Sequence, residues 1–160
     1  MALELKKISR EAIPGALERA QHYRNLNEPG EAESICRDIL NRDPTNQQAL
    51  RVLGLSLSEK FTGRETDEYQ EADRIFHFLS DEYERLYYSG LLRERRAKAE
   101  LRVGGRLDMV AALLREALEL FAKAERIRPP GNDEALLRWN RCVRLIQSRP
   151  ELEWAVGDLR

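Results

Sequence analysis

One arrangement of small and apolar residues occurs three times along the sequence: Ala32 with Cys36, Ile39 and Pro44; Ala72 with Phe76 and Leu79; Ala117 with Phe121, Ala124 and Pro129. Steps of four and then three residues put each set on one stripe of an α-helix. Where a proline follows, five residues on, it falls past the helix end, where its missing N–H does no damage. A chain built this way repeats a helical unit. Such units favour a surface for partners over a reaction centre.

The rest of the sequence agrees with an all-helical chain. Charged residues make up 34% and hydrophobic residues 42%, with only 9 glycines and 6 prolines. The runs of Ala, Leu, Glu and Arg between them are strong helix formers. At 160 residues one domain with one core is the economical reading. The formal net charge of -1 gives no bulk attraction for nucleic acid or an acidic membrane, so any such affinity has to be local. No apolar stretch reaches the length of a signal core or a membrane span, and the expectation is a cytoplasmic chain. In a reducing compartment Cys36 and Cys142, both inside apolar helical patterns, read as small core residues.

Caps and breakers divide the chain into seven helices and a tail. The first runs from about Glu11 to Leu26, and Asn27 as cap with Pro29 in the first turn opens a second to about Asn41. Asp43-Pro44-Thr45 closes that helix and caps a third, about Asn46 to Lys60. Thr62-Gly63-Arg64 separates it from a fourth, about Thr66 to Leu79. A break at Ser80-Asp81, without proline or glycine, leads to a long fifth helix, Glu82 to Arg102, ended by Gly104-Gly105. The sixth spans Leu107 to Ile127 and stops at Pro129-Pro130-Gly131. Asn132 or Asp133 starts a seventh through Gln147, and Pro150 opens a short tail with Trp154. No alternating run with turn chemistry supports a strand.

This register resembles the tetratricopeptide repeat, a helix-turn-helix unit of about 34 residues. The match covers nearly the whole chain, as repeats at 13–46, 47–81 and 82–129, a capping helix at 132–148 and a tail at 149–160. Repeat one carries Ala20 and Tyr23 in its first helix and Ala32, Cys36, Ile39 and Pro44 in its second, with Ala16 and Arg19 in place of larger apolar residues. In repeat two, Leu50, Leu53, Gly54 and Leu57 fit the first helix, and the second arrives late, implying an insertion around Glu59 to Asp67. Leu86 and Gly90 serve in repeat three, where Arg93 stands at a usually aromatic position. Leu136, Trp139 and Val143 look like a final helix that covers the open end. The resemblance implies a right-handed superhelix of helix hairpins. Physically, Ala20, Gly54 and Gly90 on first helices, and Ala32, Ala72 and Ala117 on second helices, let backbones approach while Tyr23, Phe76 and Phe121 fill the space beside them.

Candidate chemistry is sparse. Gly54-Leu55-Ser56-Leu57-Ser58 is half a nucleophile elbow without its closing glycine, and it lies inside a helix. His22 and His77 have no second ligand at metal spacing, and Gly104-Gly105 is a turn, not a phosphate cradle. The expectation is a protein that is not an enzyme, with no catalytic residue, no metal and no cofactor.

Members of the resembled family bind partners in a groove lined by the first helix of each pair. That geometry, carried over, presents Leu17, Gln21, Arg24 and Asn25, then Arg51, Leu55, Ser58 and Glu59, then Tyr87, Leu91, Glu94 and Arg95, with packing against the neighbouring repeat as the competing reading for each. Leu17 and Gln21 stand where the chaperone-binding members clamp a terminal carboxylate with lysine and asparagine, which argues against that role. The insertion at Lys60 to Asp67 is placed to reach over one rim. The implied function is a protein-interaction module, an adaptor, scaffold or co-chaperone, that holds a peptide segment with apolar anchors. The alternative is a basic strip, Arg93, Arg95, Arg96, Lys98, Arg102 and Arg106, for nucleic acid or an acidic partner. Against it stand the absence of interleaved aromatics and the presence of Asp81, Glu82 and Glu84 as ion-pair partners. The apolar tail suggests either an intramolecular dock, slightly preferred, or a homo-oligomer.

Overall fold

The computed structural model describes residues 2–63 and 67–157, and every regular element among them is helical. A 3-10 turn at Arg10–Ala12 leads into α1 (Ile13–Asn25), α2 (Pro29–Arg42), α3 (Gln47–Glu59), α4 (Asp67–His77), α5 (Glu82–Arg102), α6 (Leu107–Arg126), α7 (Glu134–Gln147) and α8 (Pro150–Val156). The expected insertion includes Arg64, Glu65 and Thr66, which lie outside the described residues, as do residues 158–160 of the tail.

The ends follow local chemistry. Asn46 caps α3, its side-chain oxygen accepting from the Ala49 N–H at 2.9 Å, so the cap sits one residue past the expected Asp43-Pro44-Thr45. Asp81 caps α5 by accepting from the Glu84 N–H at 2.9 Å, which explains a sharp boundary that needs neither proline nor glycine. Asn27 does not cap α2 as expected. Its φ of 60° places it in the left-handed region as the residue that closes α1: the Glu28 N–H reaches back to the Tyr23 carbonyl and the Asn27 N–H to the Arg24 carbonyl, each at 2.9 Å. Gly104, with φ of 69°, ends α5 in the same way.

Each helix packs on the next, and α1 touches α3, α3 touches α5, and α5 touches α7. The odd-numbered helices therefore touch one another in series. Between consecutive helices the approach is set by glycine. A Cβ added at Gly54 of α3 would lie 2.3 Å from the Phe76 ring of α4, and one at Gly90 of α5 would lie 2.8 Å from the Phe121 ring of α6. Both rings are enclosed, and each contributes about 1.5–3 kcal/mol by its burial. Ala20, Ala32, Ala72 and Ala117 have no solvent exposure, so the repeated small residues lie at helix contacts. In the first hairpin Cys36, also buried, stands where the later ones carry phenylalanine. Arg37 of α2 ties to Glu71 of α4 through paired hydrogen bonds of 3.0 and 2.9 Å.

The core forms two large clusters, one around Phe76 and Leu57 and one around Phe121 and Leu114, with Leu55 and Tyr88 packed against both. The tail is not loose. Leu152 and Val156 of α8 are buried against α6 and α7, and Arg115 donates to the carbonyls of Ala155 and Val156 at 3.1 and 2.9 Å. The tail thus docks on its own chain, leaving Trp154 88% exposed.

Gly54→Ala should destabilise the fold by about 1–3 kcal/mol, because the Phe76 ring it would strike is held against Tyr88 at 5.2 Å between centroids and cannot retreat. Gly30→Ala, in open space on α2, should be neutral or stabilising by about 0.5–1 kcal/mol. Urea unfolding midpoints of the two variants at unchanged slope check the difference.

Candidate functional site

The face made by the odd-numbered helices begins with an open recess of about 750 Å³ between α1 and α3. Ile13, Leu17 and Val52 supply its apolar wall, and Gln21, Gln48 and Arg51 its polar edge. The N-cap of α3 fixes one end of this recess, since Asn46 both starts that helix and lines the opening.

Beyond the recess a chain of polar contacts crosses the face from α1 to α7. Gln21 donates to Asn25 at 3.2 Å and accepts from Arg24 at 3.1 Å. Arg24 donates through Nε to Glu59 of α3 at 3.0 Å, and Arg95 of α5 approaches the same carboxylate at 3.8 Å. Arg95 also donates to the Ser58 hydroxyl at 2.6 Å, while Ser58 donates to the Leu55 carbonyl of its own helix. Arg51 of α3 pairs with Glu84 of α5 at 2.9 Å.

The second half of the face is organised around Glu94, which has no solvent exposure at all. Lys98, one turn on, pairs with it; Arg138 of α7 lies 3.4 Å away, and the Cys142 thiol donates to its other oxygen at 3.5 Å. Tyr87 and Leu91 are buried too. Tyr87 packs among Tyr83, Tyr88 and Phe121, with ring centroids 5.9, 5.1 and 6.0 Å away. Of the residues expected to line a groove, Leu91 and Glu94 are therefore not presented to a partner, and Tyr87, largely buried, still lines the recess beside α7. The reason is that α7 and α6 both pack on α5 and cover them. Leu17, Gln21, Arg24, Asn25, Arg51, Leu55, Glu59 and Arg95 keep partial or full exposure, and Ser58 is buried beneath Arg95.

Sequence reasoning missed α7 as a contributor, having read it only as a cap. Arg138, Arg141 and Leu137 stand beside Glu134 around a shallow recess at this end, and Leu137 is 62% exposed. A large apolar side chain facing solvent on an amphipathic helix was the available signal.

The six basic residues from Arg93 to Arg106 do not form one strip. Arg93 pairs with Asp73 at 2.6 Å and Glu116 at 3.3 Å, and Arg96 lies 4.2 Å over the Tyr69 ring, both on the α4 side. Arg95 reaches Ser58 of α3, and Lys98 pairs with Glu94 one turn back on α5. Arg102 reaches the Phe61 carbonyl at 3.4 Å, and Arg106 pairs with exposed Asp108 at 2.6 Å. Among the described residues their carboxylate partners are Asp73, Glu116, Glu59, Glu94 and Asp108, in place of the expected Asp81, Glu82 and Glu84.

Electrostatics mark Arg95 as the centre of the face. Burial pushes its guanidinium pKa down; Glu59 opposes this, and the positive charges of Arg138 and Arg24 add to the depression. Burial also works against the charge on Arg138, but Glu94 and the Tyr87 hydroxyl more than offset it. The cysteines sit in the core as free thiols, with burial pushing Cys36 up to about 12 and Cys142 upward as well. Ser56 is buried and donates to the Val52 carbonyl inside α3, so the serine motif lies on a helix. Among the described residues no three His, Cys, Asp or Glu side chains are grouped to hold a metal ion, and no helix is long and apolar enough to cross a membrane.

Removing charge from the two sides of the Glu94 cluster should have unequal effects. Glu94→Gln leaves Lys98 and Arg138 able to reach water and should cost about 1–2 kcal/mol. Lys98→Met with Arg138→Met strands an enclosed carboxylate and should cost about 3–5 kcal/mol. Chemical denaturation of both variants checks the order, and a Glu94→Gln cost equal to or above that of the double variant contradicts it.

Comparison with protein-family models, curated proteins and solved structures gave no match to this chain.

Proposed function

We propose that the chain is a tetratricopeptide-like solenoid, a protein-interaction module that receives a peptide segment of a partner along the concave surface of its odd-numbered helices. The observation that carries this reading is the sequence of contacts α1 with α3, α3 with α5 and α5 with α7, with each even-numbered helix packed behind its hairpin. Helix hairpins stacked in this order leave one long face on a rigid scaffold, and such faces suit extended or helical peptides. The open recess between α1 and α3, apolar on one wall and amide-bearing on the other, is a pocket in which a partner's apolar side chain can anchor.

Three further features support the same reading. The glycine-to-ring contacts recur in two hairpins at matching places, as a repeat requires. α7 and α8 close the last hairpin with Leu152 and Ile146 buried, a capping arrangement that lets a short array end in water. The competing basic-strip reading lacks support from geometry, because its six residues point to different neighbours. As a scaffold or adaptor in the cytoplasm, the module would act by holding its partner.

Peptides selected from a random displayed library against the immobilised full chain test this. They should bind wild type and Phe78→Ser, altered at an exposed residue just past the end of α4, alike, and lose about tenfold or more in affinity on Gln21→Trp or Leu137→Glu. Selected peptides that ignore both groove substitutions and lose affinity on Phe78→Ser contradict the reading.

A further inference from the structure

Resting on that reading, we propose that the floor of the groove recognises an acidic peptide segment, with Arg24, Arg95 and Arg138 receiving its carboxylates. Among the described residues this floor gathers four cations, Arg24, Arg95, Lys98 and Arg138, onto two carboxylates, Glu59 and Glu94. Each carboxylate is shared: Glu59 serves Arg24 and Arg95, and Glu94 serves Lys98 and Arg138. Nearby, Arg51 and Glu84 balance each other, and Glu134 lines the α7 recess with Arg138 and Arg141. The surplus of positive charge is thus confined to the middle of the face.

The surplus is also partly enclosed. The side chains of Arg24, Arg95 and Lys98 are less than a quarter exposed and that of Arg138 is about a third exposed, so water screens them less than it screens surface lysines. Burial is the main cause that holds the Arg95 guanidinium pKa down; Glu59 opposes it, and the neighbouring charges of Arg138 and Arg24 add to the depression. A ligand carboxylate set over Arg95 would accept from guanidinium groups already held in place by Ser58, Glu59 and Glu94, so little side-chain entropy is lost on binding.

What flanks the floor argues for a peptide as the carrier of that charge. The apolar recess of Ile13, Leu17 and Val52 lies at one end and exposed Leu137 at the other, matching apolar side chains on either side of an acidic centre. A nucleic acid would want exposed rings for its bases to stack on, and Tyr87, the aromatic residue at this floor, is buried.

The probe is a blocked, fluorescein-labelled decapeptide with four central glutamates between two leucines, alongside counterparts in which glutamine or lysine replaces glutamate, and a ten-residue oligothymidylate. Anisotropy titrations on the full chain should give the glutamate peptide about tenfold tighter binding than the glutamine peptide, a preference that shrinks to about twofold in Arg138→Gln. Equal affinity for the glutamate and glutamine peptides overturns the acidic assignment and leaves the groove standing. Preference for the lysine peptide or for oligothymidylate overturns it as well, and no binding by any probe removes both the assignment and the groove. If Arg138→Gln loses its helical circular dichroism, amide shifts of the wild-type chain with the glutamate peptide decide instead. Changes centred on Arg24, Arg95 and Arg138 support the proposal, and changes along α2, α4 and α6 overturn it.

Discussion

The ring of Phe76 lying on the backbone of Gly54, and that of Phe121 on Gly90, fix how closely consecutive helices approach, and the other contacts follow from that distance. With no Cβ in the way, a whole aromatic ring fits between two backbones and is lost to solvent. The alanines at Ala72 and Ala117 do the same from the partner helix, where a larger side chain would push the pair apart. Because this packing uses one side of each odd-numbered helix, the residues on the other side are free to face the next odd-numbered helix. Leu17, Arg51, Glu59 and Arg95 are there for that reason.

The polar floor that results is costly to assemble. Bringing Glu94 fully inside requires Lys98, Arg138 and the Cys142 thiol to surround it, and buried ion pairs of this type seldom add net stability over apolar packing. Nor does the charge balance: two carboxylates do not neutralise four cations. An arrangement that stability alone does not favour, set in the middle of an open face, fits a surface shaped by what it binds. In the proposed module the apolar recess and the charged floor would have separate tasks, one supplying affinity through buried area and the other selecting among peptides by charge.

Much of the helical plan could be read along the chain because its signals are local. The end of Glu82 to Arg102 was marked by Gly104-Gly105, whereas its start had only the Ser80-Asp81 break, and the cap at Asp81 is supplied by the structure. Asn27 misled because one asparagine can either start a helix or end one, and the backbone bonds from Asn27 and Glu28 into α1 decide for the ending. The site was less legible. Glu94 shares a stripe with Gly90 and Lys98 and looks exposed on its own helix; its enclosure depends on residues 44 and 48 positions further on, in α7. Arg93 to Arg106 looked like one basic run because they are close in sequence, but a helix turns successive residues to different neighbours, and Tyr69, Asp73, Glu59 and Asp108 divide them. Burial of Tyr87 and Leu91 likewise depends on how α6 and α7 cover α5, which the spacing within α5 does not contain.

The central claim is that partners lie along the odd-numbered helices. Paramagnetic broadening of the amide spectrum by a spin label on a bound, selected peptide tests it most directly. The account predicts loss of signal at Gln21, Leu55 and Arg138, with Ala32, Ala72 and Ala117 of the even-numbered helices unaffected. Broadening along α2, α4 and α6, with Gln21, Leu55 and Arg138 left sharp, would contradict it.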